Sequence, residues 1–230
     1  AKDRTWAYGH IVVDEAQELS PMAWRALLRR CPSRSFTVVG DLDQRRGSKR
    51  PPTWEKALGP AARALAAEYA LTVSYRTPAT LTTLAEGVVA RAGVPVLYPM
   101  TAVRDVDDCY RVTHVDAPED APASSKDNST LWRAVAQAQR EAEERLDREA
   151  GTSRGRIAII VGAQRARAWG ADVDGETALS ERVSLLSAVA SKGLEFDSVI
   201  LVEPAEILSD GVGDLFVALT RATHDVHVVH

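Results

Sequence analysis

Apolar residues along the chain fall into two kinds of segment, which alternate from one end to the other. Short apolar runs without a helical period predict buried β-strands. They cover residues 8–13, 36–39, 157–161, 183–187 and 199–202. Residues 71–74, the alternating residues 110–115 and the closing residues 226–229 predict three further strands. The stretches between them carry apolar residues every three or four positions, as amphipathic helices do. This alternation predicts an α/β fold in which helices cover both faces of a parallel sheet.

Capping residues mark several of the predicted helices. Ser20-Pro21 supplies an N-cap and a proline at the first helical position, and Cys31-Pro32 ends that helix. Thr77-Pro78 predicts a second start of the same kind, and Gly93 ends the helix that follows. Further helices are predicted over residues 54–67, interrupted near Gly59-Pro60, and over residues 129–150 and 213–224.

Two of these helices have a well-defined apolar face. In the first, the face consists of Leu81, Leu84, Ala85, Val88, Val89 and Ala92. In the second, it consists of Leu131, Val135, Ala138, Ala142 and Leu146, and the charged residues between them predict a solvated outer face. The alternation of predicted strands and helices starts anew around residues 69–71, so we expect a domain boundary near residue 70.

The length suits one large domain or two modest ones, and the composition is that of a globular protein. Of 230 residues, 45% are hydrophobic and 26% are charged, which excludes a disordered, collagen-like or coiled-coil protein. No apolar run approaches the roughly 20 residues that span a bilayer, so we expect no membrane partner. Two cysteines are too few for a disulfide framework, which favours the reducing cytoplasm. The net charge of −4 makes any nucleic-acid surface a local one.

The first predicted strand ends in two acidic residues, Asp14 and Glu15. In open α/β sheets, ligands collect beyond the carboxyl ends of the strands. A carboxylate there can hold the Mg²⁺ of a nucleotide, and a neighbouring one can activate water. Taken alone, this dipeptide is more typical of a strand that leads into an acidic helix start.

Five segments together make the pattern specific. They read HIVVDEAQ (10–17), VVGDLDQ (38–44), VSYRTP (73–78), SKGLEFDSVILVEP (191–204) and LFVALTRA (215–222). In this order the chain resembles the superfamily I helicases of the UvrD/Rep type, whose motifs II to VI they match. The resemblance implies an α/β, P-loop NTPase fold of the RecA-like kind and an ATP-dependent motor that moves on DNA. It covers almost the whole chain, and residues 94–182 are its least diagnostic part.

The resemblance assigns roles to residues of the first two motifs. Asp14 matches the carboxylate that coordinates Mg²⁺, and Glu15 matches the general base that orients the attacking water. Gln17 and Gln44 match glutamines that sense the γ-phosphate of ATP and link it to the DNA site.

Further roles fall on the last three motifs. Tyr75 matches the aromatic residue that stacks on adenine, and Glu195 matches the acid that contacts the ribose. Arg76 and Arg221 match two arginines that contact the γ-phosphate. Such arginines accelerate hydrolysis about 10³–10⁵-fold, because phosphoryl transfer concentrates negative charge on the phosphate oxygens. In the family, the transition state is complete only when the two motor domains close.

Candidate nucleic-acid contacts are less specific. Lys192-Gly193 suits a tight turn near phosphate, and Gly193 also falls in the nucleotide-binding region of the family. Ser187, four residues before this motif, is a further candidate for nucleic-acid binding. Arg45 and Arg46 open a basic loop that either contacts phosphates or is simply solvated. Lys192 without its Leu-Glu-Phe sequel would be an ordinary surface lysine, and Trp54 is more typical of a core residue than of a base-stacking one.

The chain departs from the family in lacking the phosphate-binding sequence G-x-x-x-x-G-K-[ST]. We therefore expect a fragment: residues 1–69 as the C-terminal portion of domain 1A and residues 70–230 as a complete domain 2A. The expected partners are DNA, single-stranded or at a duplex junction, and the N-terminal part of the same polypeptide. The expected cofactors are ATP and Mg²⁺. Without the phosphate-binding sequence, the isolated chain is expected to be inactive.

A second departure bears on the branch of the family. About 90 residues separate Gly93 from Arg182, too few for the inserted 2B domain of most UvrD/Rep members. Together with VVDEAQELS and VVGDLDQ, this points to the helicase IV and HelD-like branch. The alternative function is therefore an ATPase that binds RNA polymerase and releases it without unwinding DNA. A degenerate domain without ATPase activity is a third, weaker hypothesis.

Overall fold

The computed structural model describes residues 6–45, 51–116, 130–171 and 180–230. The chain divides into two compact units, Ala1–Leu71 and Thr72–His230, called unit 1 and unit 2 below. Each unit has its own hydrophobic core.

Unit 1 is built on two parallel strands. β1 (Ile11–Val13) pairs with β2 (Phe36–Val38), and a short 3₁₀ turn follows each strand. The helix α1 (Pro21–Arg30) connects the strands, and α2 (Trp54–Leu58) continues into the 3₁₀ segment Gly59–Ala64. The interruption at Gly59, where φ is +51°, is the one predicted from the sequence.

The boundaries of α1 are those expected from its capping residues. The Ser20 hydroxyl accepts a hydrogen bond from the Ala23 amide, and Pro21 occupies the first helical position. Trp24 is fully buried and packs with Val13 and Leu58, so α1 holds the buried face of the strand pair.

Unit 2 contains a two-stranded and a five-stranded sheet. β3 (Val73–Ser74) pairs with β4 (Thr101–Ala102). The larger sheet comprises β5 (Tyr110–Thr113), β6 (Ile157–Val161), β7 (Val183–Ser187), β8 (Phe196–Val202) and β9 (Ala222–Val229). Its strand order is β5-β9-β8-β6-β7, and every pairing is parallel, as predicted.

Helices cover both faces of the larger sheet, and β6, β7, β8 and β9 each contribute residues to the cores on both faces. The helices are α3 (Ala79–Arg91), α4 (Thr130–Glu149), α5 (Ala163–Trp169), α6 (Pro204–Asp210) and α7 (Val212–Thr220). Along β6, Ala158 and Ile160 pack in the core with α3 and α7, whereas Ile157 and Ile159 pack in the core with α4 and α5. This alternation follows from the two-residue period of a strand. None of the helices in the described ranges is long and apolar enough to cross a membrane.

The long helix α4 follows its sequence pattern closely. All five residues of its predicted apolar face are buried: Leu131, Val135, Ala138, Ala142 and Leu146. Their spacing places them on one side of the helix, against the sheet.

A charged cluster centred on the buried Asp225 also joins α4 to the sheet. The Asp225 carboxylate, on β9, is 2% exposed and accepts hydrogen bonds from Arg145 on α4 and from Arg111 on β5. Burial, and then the positive charge of Arg111, lower the pKa of nearby His227, whose ring contacts the Thr113 hydroxyl. Because Asp225 is buried, leaving its charge without these arginines would be costly.

Several elements differ from the sequence-based predictions. β9 begins at Ala222, whereas the sequence suggested a strand only from residue 226 and a helix up to residue 224. Its polar first residues are extended because they pair with β8. The pattern did not predict α5 and α6, whose seven residues each are too few for a clear period. β4, of two residues, was also missed.

The start of α3 is capped from a distance. The helix begins at Ala79, and Thr77 does not cap it, because its hydroxyl donates to the Thr220 carbonyl. Asp105 caps the helix instead, accepting hydrogen bonds from the Thr80 amide and hydroxyl. These bonds and one from the Val106 amide hold the pKa of Asp105 below its ordinary value.

Asp105→Asn is expected to lower the melting temperature at neutral pH, because it removes a charge that the Thr80 and Val106 amides stabilise. The lowered pKa makes this stabilisation complete above the ordinary aspartate pKa of about 4. It is lost as the pH falls through that value towards the pKa of the folded state. Thermal unfolding between pH 2.5 and 7 should therefore show wild type and variant converging in acid. Asp107→Asn, at an exposed neighbouring position, is the control; a difference that persists at pH 2.5 would contradict the explanation.

Candidate functional site

In unit 1, the two candidate carboxylates follow β1 directly. Asp14 is exposed, and its Oδ1 accepts a hydrogen bond of 2.8 Å from the Glu15 amide. Glu15 has left-handed backbone angles, φ 49° and ψ 38°, which are uncommon for a residue with a side chain. Such local strain is typical of functional positions, and the contacts of the Glu15 side chain show what maintains it.

Gln17 connects the ends of the two strands. It is fully buried; its Nε2 donates to Glu15 Oε2 at 2.5 Å, and its Oε1 accepts from the Asp41 amide at 3.0 Å. The amide can do both because it carries a donor and an acceptor. One side chain therefore orients Glu15 and fixes the segment after β2.

That segment brings Gln44 into the same network. The Asp41 side chain accepts from the Asp43 amide at 2.8 Å and from Gln44 Nε2 at 2.9 Å. Glu15, Gln17, Asp41 and Gln44 thus form one connected polar cluster at the carboxyl ends of β1 and β2. Asp41 was part of the sequence motif, but no role was predicted for it.

Gly40 allows this close approach. A Cβ atom at this position would lie 2.2 Å from Gln17 Oε1 and 2.9 Å from Trp54 Cη2. Trp54 packs against the core of unit 1, as expected for a core tryptophan. Arg45 follows the cluster and is half-buried, and Arg46 lies outside the described residues.

In unit 2, three candidate residues meet where β8 and β9 begin. Phe196 pairs with Ala222, so the residues just before them, Glu195 and Arg221, lie side by side. Arg76, from the loop after β3, forms an ion pair of 2.5 Å with Glu195. Both side chains are about half exposed, 48% for Arg76 and 42% for Glu195, so each remains accessible to a ligand.

Arg221 is placed differently from Arg76. It is 5% exposed, and its guanidinium donates to the carbonyls of Val217 at 3.2 Å and Leu194 at 3.5 Å. The group is therefore held within unit 2 and is not presented to solvent as Arg76 is.

Tyr75 has the accessibility that ring stacking requires, with 75% of the residue exposed. Its carbonyl, however, accepts a hydrogen bond from Arg104, as does that of Arg76. Arg104 was not among the residues predicted from the sequence, because an arginine in a loop carries no local signal of what it contacts.

The remaining candidates of unit 2 lie along the turn between β7 and β8. Gly193 has φ +70°, which is the tight turn expected for Lys192-Gly193. Lys192 is half-buried and its amide donates to the Val189 carbonyl. Ser187 is buried and its hydroxyl accepts from the Ala190 amide at 3.1 Å. Ser187 ends β7 at the carboxyl edge of the sheet, opposite to the edge of Glu195 and Arg221.

The donor set of unit 1 suits a hydrated magnesium ion that is bound together with a phosphate ligand. In the described part of the chain, no group of three His, Cys, Asp or Glu side chains could hold a metal ion by itself. Mg²⁺ is usually bound through one or two carboxylates plus substrate phosphates. The exposed Asp14 carboxylate can supply such a ligand, and Glu15 beside it can accept a proton from water.

Comparison with known proteins supports the fold. No protein-family model and no curated protein matches the chain. Two solved structures of arterivirus nonstructural protein 10, a helicase, match with a TM-score of 0.50 each; one is a complex with DNA. They are 18% and 16% identical, and the matches cover 99% of this chain but only 41% and 40% of theirs. This chain therefore spans less than half of their length.

A third structure, the C-terminal domain of a possible DNA helicase from a Lactobacillus, is 19% identical. Its TM-score of 0.40 is too low to add to the argument, although the match covers 68% of this chain and 86% of that domain. The parallel sheet flanked by helices and the similarity to the arterivirus helicases confirm the predicted α/β, RecA-like fold.

Gly40→Ala is expected to destabilise the protein by about 1–3 kcal/mol, because the added methyl group has no room beside Gln17 and Trp54. Urea unfolding followed by tryptophan fluorescence measures the change. Gly9→Ala, in the same unit, is the control, since its added methyl group meets nothing within 4 Å. Equal midpoints for the two variants would show that the strand ends are not closely packed.

Proposed function

We propose that this chain is the C-terminal motor segment of an ATP-dependent superfamily I DNA helicase or translocase. The observation that carries the proposal is the polar cluster of unit 1, in which Gln17 ties Glu15 to the second strand end. A carboxylate held by a neighbouring amide at the carboxyl end of a parallel strand suits a general base. The helicase fold supports this choice among nucleotide-dependent enzymes.

Within this proposal, unit 1 supplies the hydrolytic groups. Asp14 would ligate Mg²⁺, which supplies charge neutralisation for the ATP phosphates when bound. Glu15 would orient and deprotonate the attacking water, and Gln17 holds the Glu15 carboxylate in place. Gln44, which donates to Asp41, would respond to the γ-phosphate through the same network.

Unit 2 would contribute the groups that bind the nucleotide and stabilise charge. The exposed Tyr75 ring can stack on adenine, and Glu195 can accept a hydrogen bond from the ribose. Arg76 would exchange its ion pair with Glu195 for a contact with the γ-phosphate, since both side chains of this pair are about half exposed. Arg221 would need to rotate away from the carbonyls that it now contacts. Gly193 provides the turn that brings Glu195 to its position.

DNA is the proposed nucleic-acid partner, and the DNA complex of the arterivirus helicase supports this choice. Lys192 and Arg45 have the charge to contact phosphates, and Arg46 is proposed with them from the sequence alone. Ser187, the last residue of β7, would donate its hydroxyl hydrogen to a phosphate, because the hydroxyl oxygen accepts from the Ala190 amide and its O–H can still donate.

We further propose that residues 1–69 belong to domain 1A and residues 70–230 form domain 2A. The phosphate-binding loop would then come from the N-terminal part of the same polypeptide. The 230 residues alone are accordingly expected to hydrolyse ATP at no more than the background rate. Rapid turnover by these residues alone that depends on Glu15 would overturn this part of the proposal.

Two substitutions in the full-length protein test the motor assignment. Glu15→Gln should lower kcat for ATP by about 10²–10⁴-fold through loss of the base. Arg76→Ala should lower it by about 10³-fold or more through loss of charge stabilisation. Phosphate release with and without single-stranded DNA is the measurement. Arg140→Ala, on the exposed face of α4, is the matched arginine control. Turnover that is unchanged in both site variants would exclude the proposed function.

The alternative, a HelD-like ATPase that releases RNA polymerase, gives a different result. It predicts that the full-length protein binds RNA polymerase and displaces it from DNA, without separating the strands of a duplex. Strand displacement in the absence of polymerase favours the helicase instead.

A further inference from the structure

The loop between β3 and α3 carries Tyr75 and Arg76, and residues 75–78 lie outside regular secondary structure. A segment of this kind must find hydrogen-bond partners elsewhere in the fold. The positions of both side chains therefore depend on whatever holds this short stretch of backbone.

The segment that follows β4 holds the two ends of the loop. The Val103 amide donates to the Ser74 carbonyl at 3.0 Å, where the loop begins. The Ala79 amide donates to the Arg104 carbonyl at 2.9 Å, where the loop ends. These contacts fix where the loop enters and leaves, but they do not reach Tyr75 or Arg76.

The side chain of Arg104 reaches both. Its Nε donates to the Tyr75 carbonyl at 3.3 Å, and its Nη2 donates to the Arg76 carbonyl at 2.7 Å. Nη2 also donates to the Thr223 carbonyl, at the start of β9. One planar guanidinium thus joins three carbonyls from two distant parts of the chain. Its donors are spread over a rigid planar fork, whereas those of a lysine ammonium all lie on one nitrogen.

The loop is also tied to the end of α7. The Thr77 hydroxyl donates to the Thr220 carbonyl at 3.4 Å. Thr220 and Thr223 lie on either side of Arg221, so the two contacts connect the Tyr75–Arg76 loop to the turn that carries the second candidate arginine. Arg104 is the stronger of the two connections, because its hydrogen bonds are charge-assisted.

From this geometry we infer that Arg104 is a positioning residue for nucleotide binding and hydrolysis, which rests on the proposed function. It does not contact the nucleotide. It sets the backbone from which Tyr75 and Arg76 extend, and it keeps that backbone in register with the Arg221 turn. A displacement of about 1 Å of such groups can cost roughly 10²-fold in rate.

The test is steady-state ATP hydrolysis by the full-length protein. Arg104→Ala should raise KM for ATP through Tyr75 and lower kcat through Arg76, with kcat/KM reduced about 10²-fold. Arg104→Lys keeps the charge without the fork, so it should recover only part of the loss. It also carries the test if Arg104→Ala does not fold.

Arg182→Ala is the matched control. Arg182 also donates to two carbonyls of unit 2, those of Glu143 and Arg154, and pairs with Asp147, away from the Tyr75–Arg76 loop. Its loss should lower the melting temperature and leave KM and kcat unchanged. A purely structural role for Arg104 would give the same pattern as Arg182.

A double substitution identifies the route. If Arg104 acts on kcat through Arg76, adding Arg104→Ala to Arg76→Ala should lower kcat little further. Wild-type KM and kcat in both Arg104 variants would overturn the inference. So would a fold-loss of kcat from Arg104→Ala that is equal in the wild-type protein and in the Arg76→Ala variant. If the wild-type protein shows no Arg76-dependent turnover, the proposed function fails and the inference fails with it.

Discussion

Parallel strand pairing decides where the candidate residues of each unit lie. In unit 1, β1 and β2 end opposite each other, at Val13 and Val38, so the segments that follow them meet. In unit 2, β8 and β9 begin opposite each other, at Phe196 and Ala222, so the residues that precede them meet. The first cluster therefore lies at the carboxyl ends of its strands and the second at the amino ends. Residues next to a paired strand end are neighbours in space at either edge, however far apart they are in sequence.

Multivalent polar side chains complete what the strands begin. The Gln17 amide joins the Glu15 carboxylate to the backbone after β2, and the Arg104 guanidinium joins the Tyr75–Arg76 backbone to β9. Both act on segments that have no ladder of their own, where each backbone group still requires a partner. Hydrogen bonds of this kind also explain how unfavourable local geometry persists. Glu15 keeps its left-handed conformation while its amide donates to Asp14 and its carboxylate accepts from Gln17.

Predictions from the sequence held where the cause of a structure lies within a few residues. The five apolar residues of α4 are all buried because helical spacing alone puts them on one side. Ser20 caps α1 because its hydroxyl reaches an amide three residues away. The same reasoning failed for Thr77-Pro78, whose helix is capped by Asp105, 25 residues beyond Thr80. It also failed for the start of β9, where pairing with β8 and burial of Asp225 between two arginines outweigh the polar local sequence.

The sequence by itself determined the α/β class, the parallel sheet and the set of candidate residues, because periodicity and motif order are local properties of the chain. Only the tertiary structure decided which of these residues meet. It joined Arg76 to Glu195, and it turned Arg221 towards the carbonyls of Val217 and Leu194. It also placed Ser187 at the opposite edge of the sheet from Glu195 and Arg221. It also assigned Arg104 its partners. The physical reason is that strand register and long-range hydrogen bonds join segments far apart in the sequence, 119 residues apart for Arg104 and Thr223, and no local pattern encodes them.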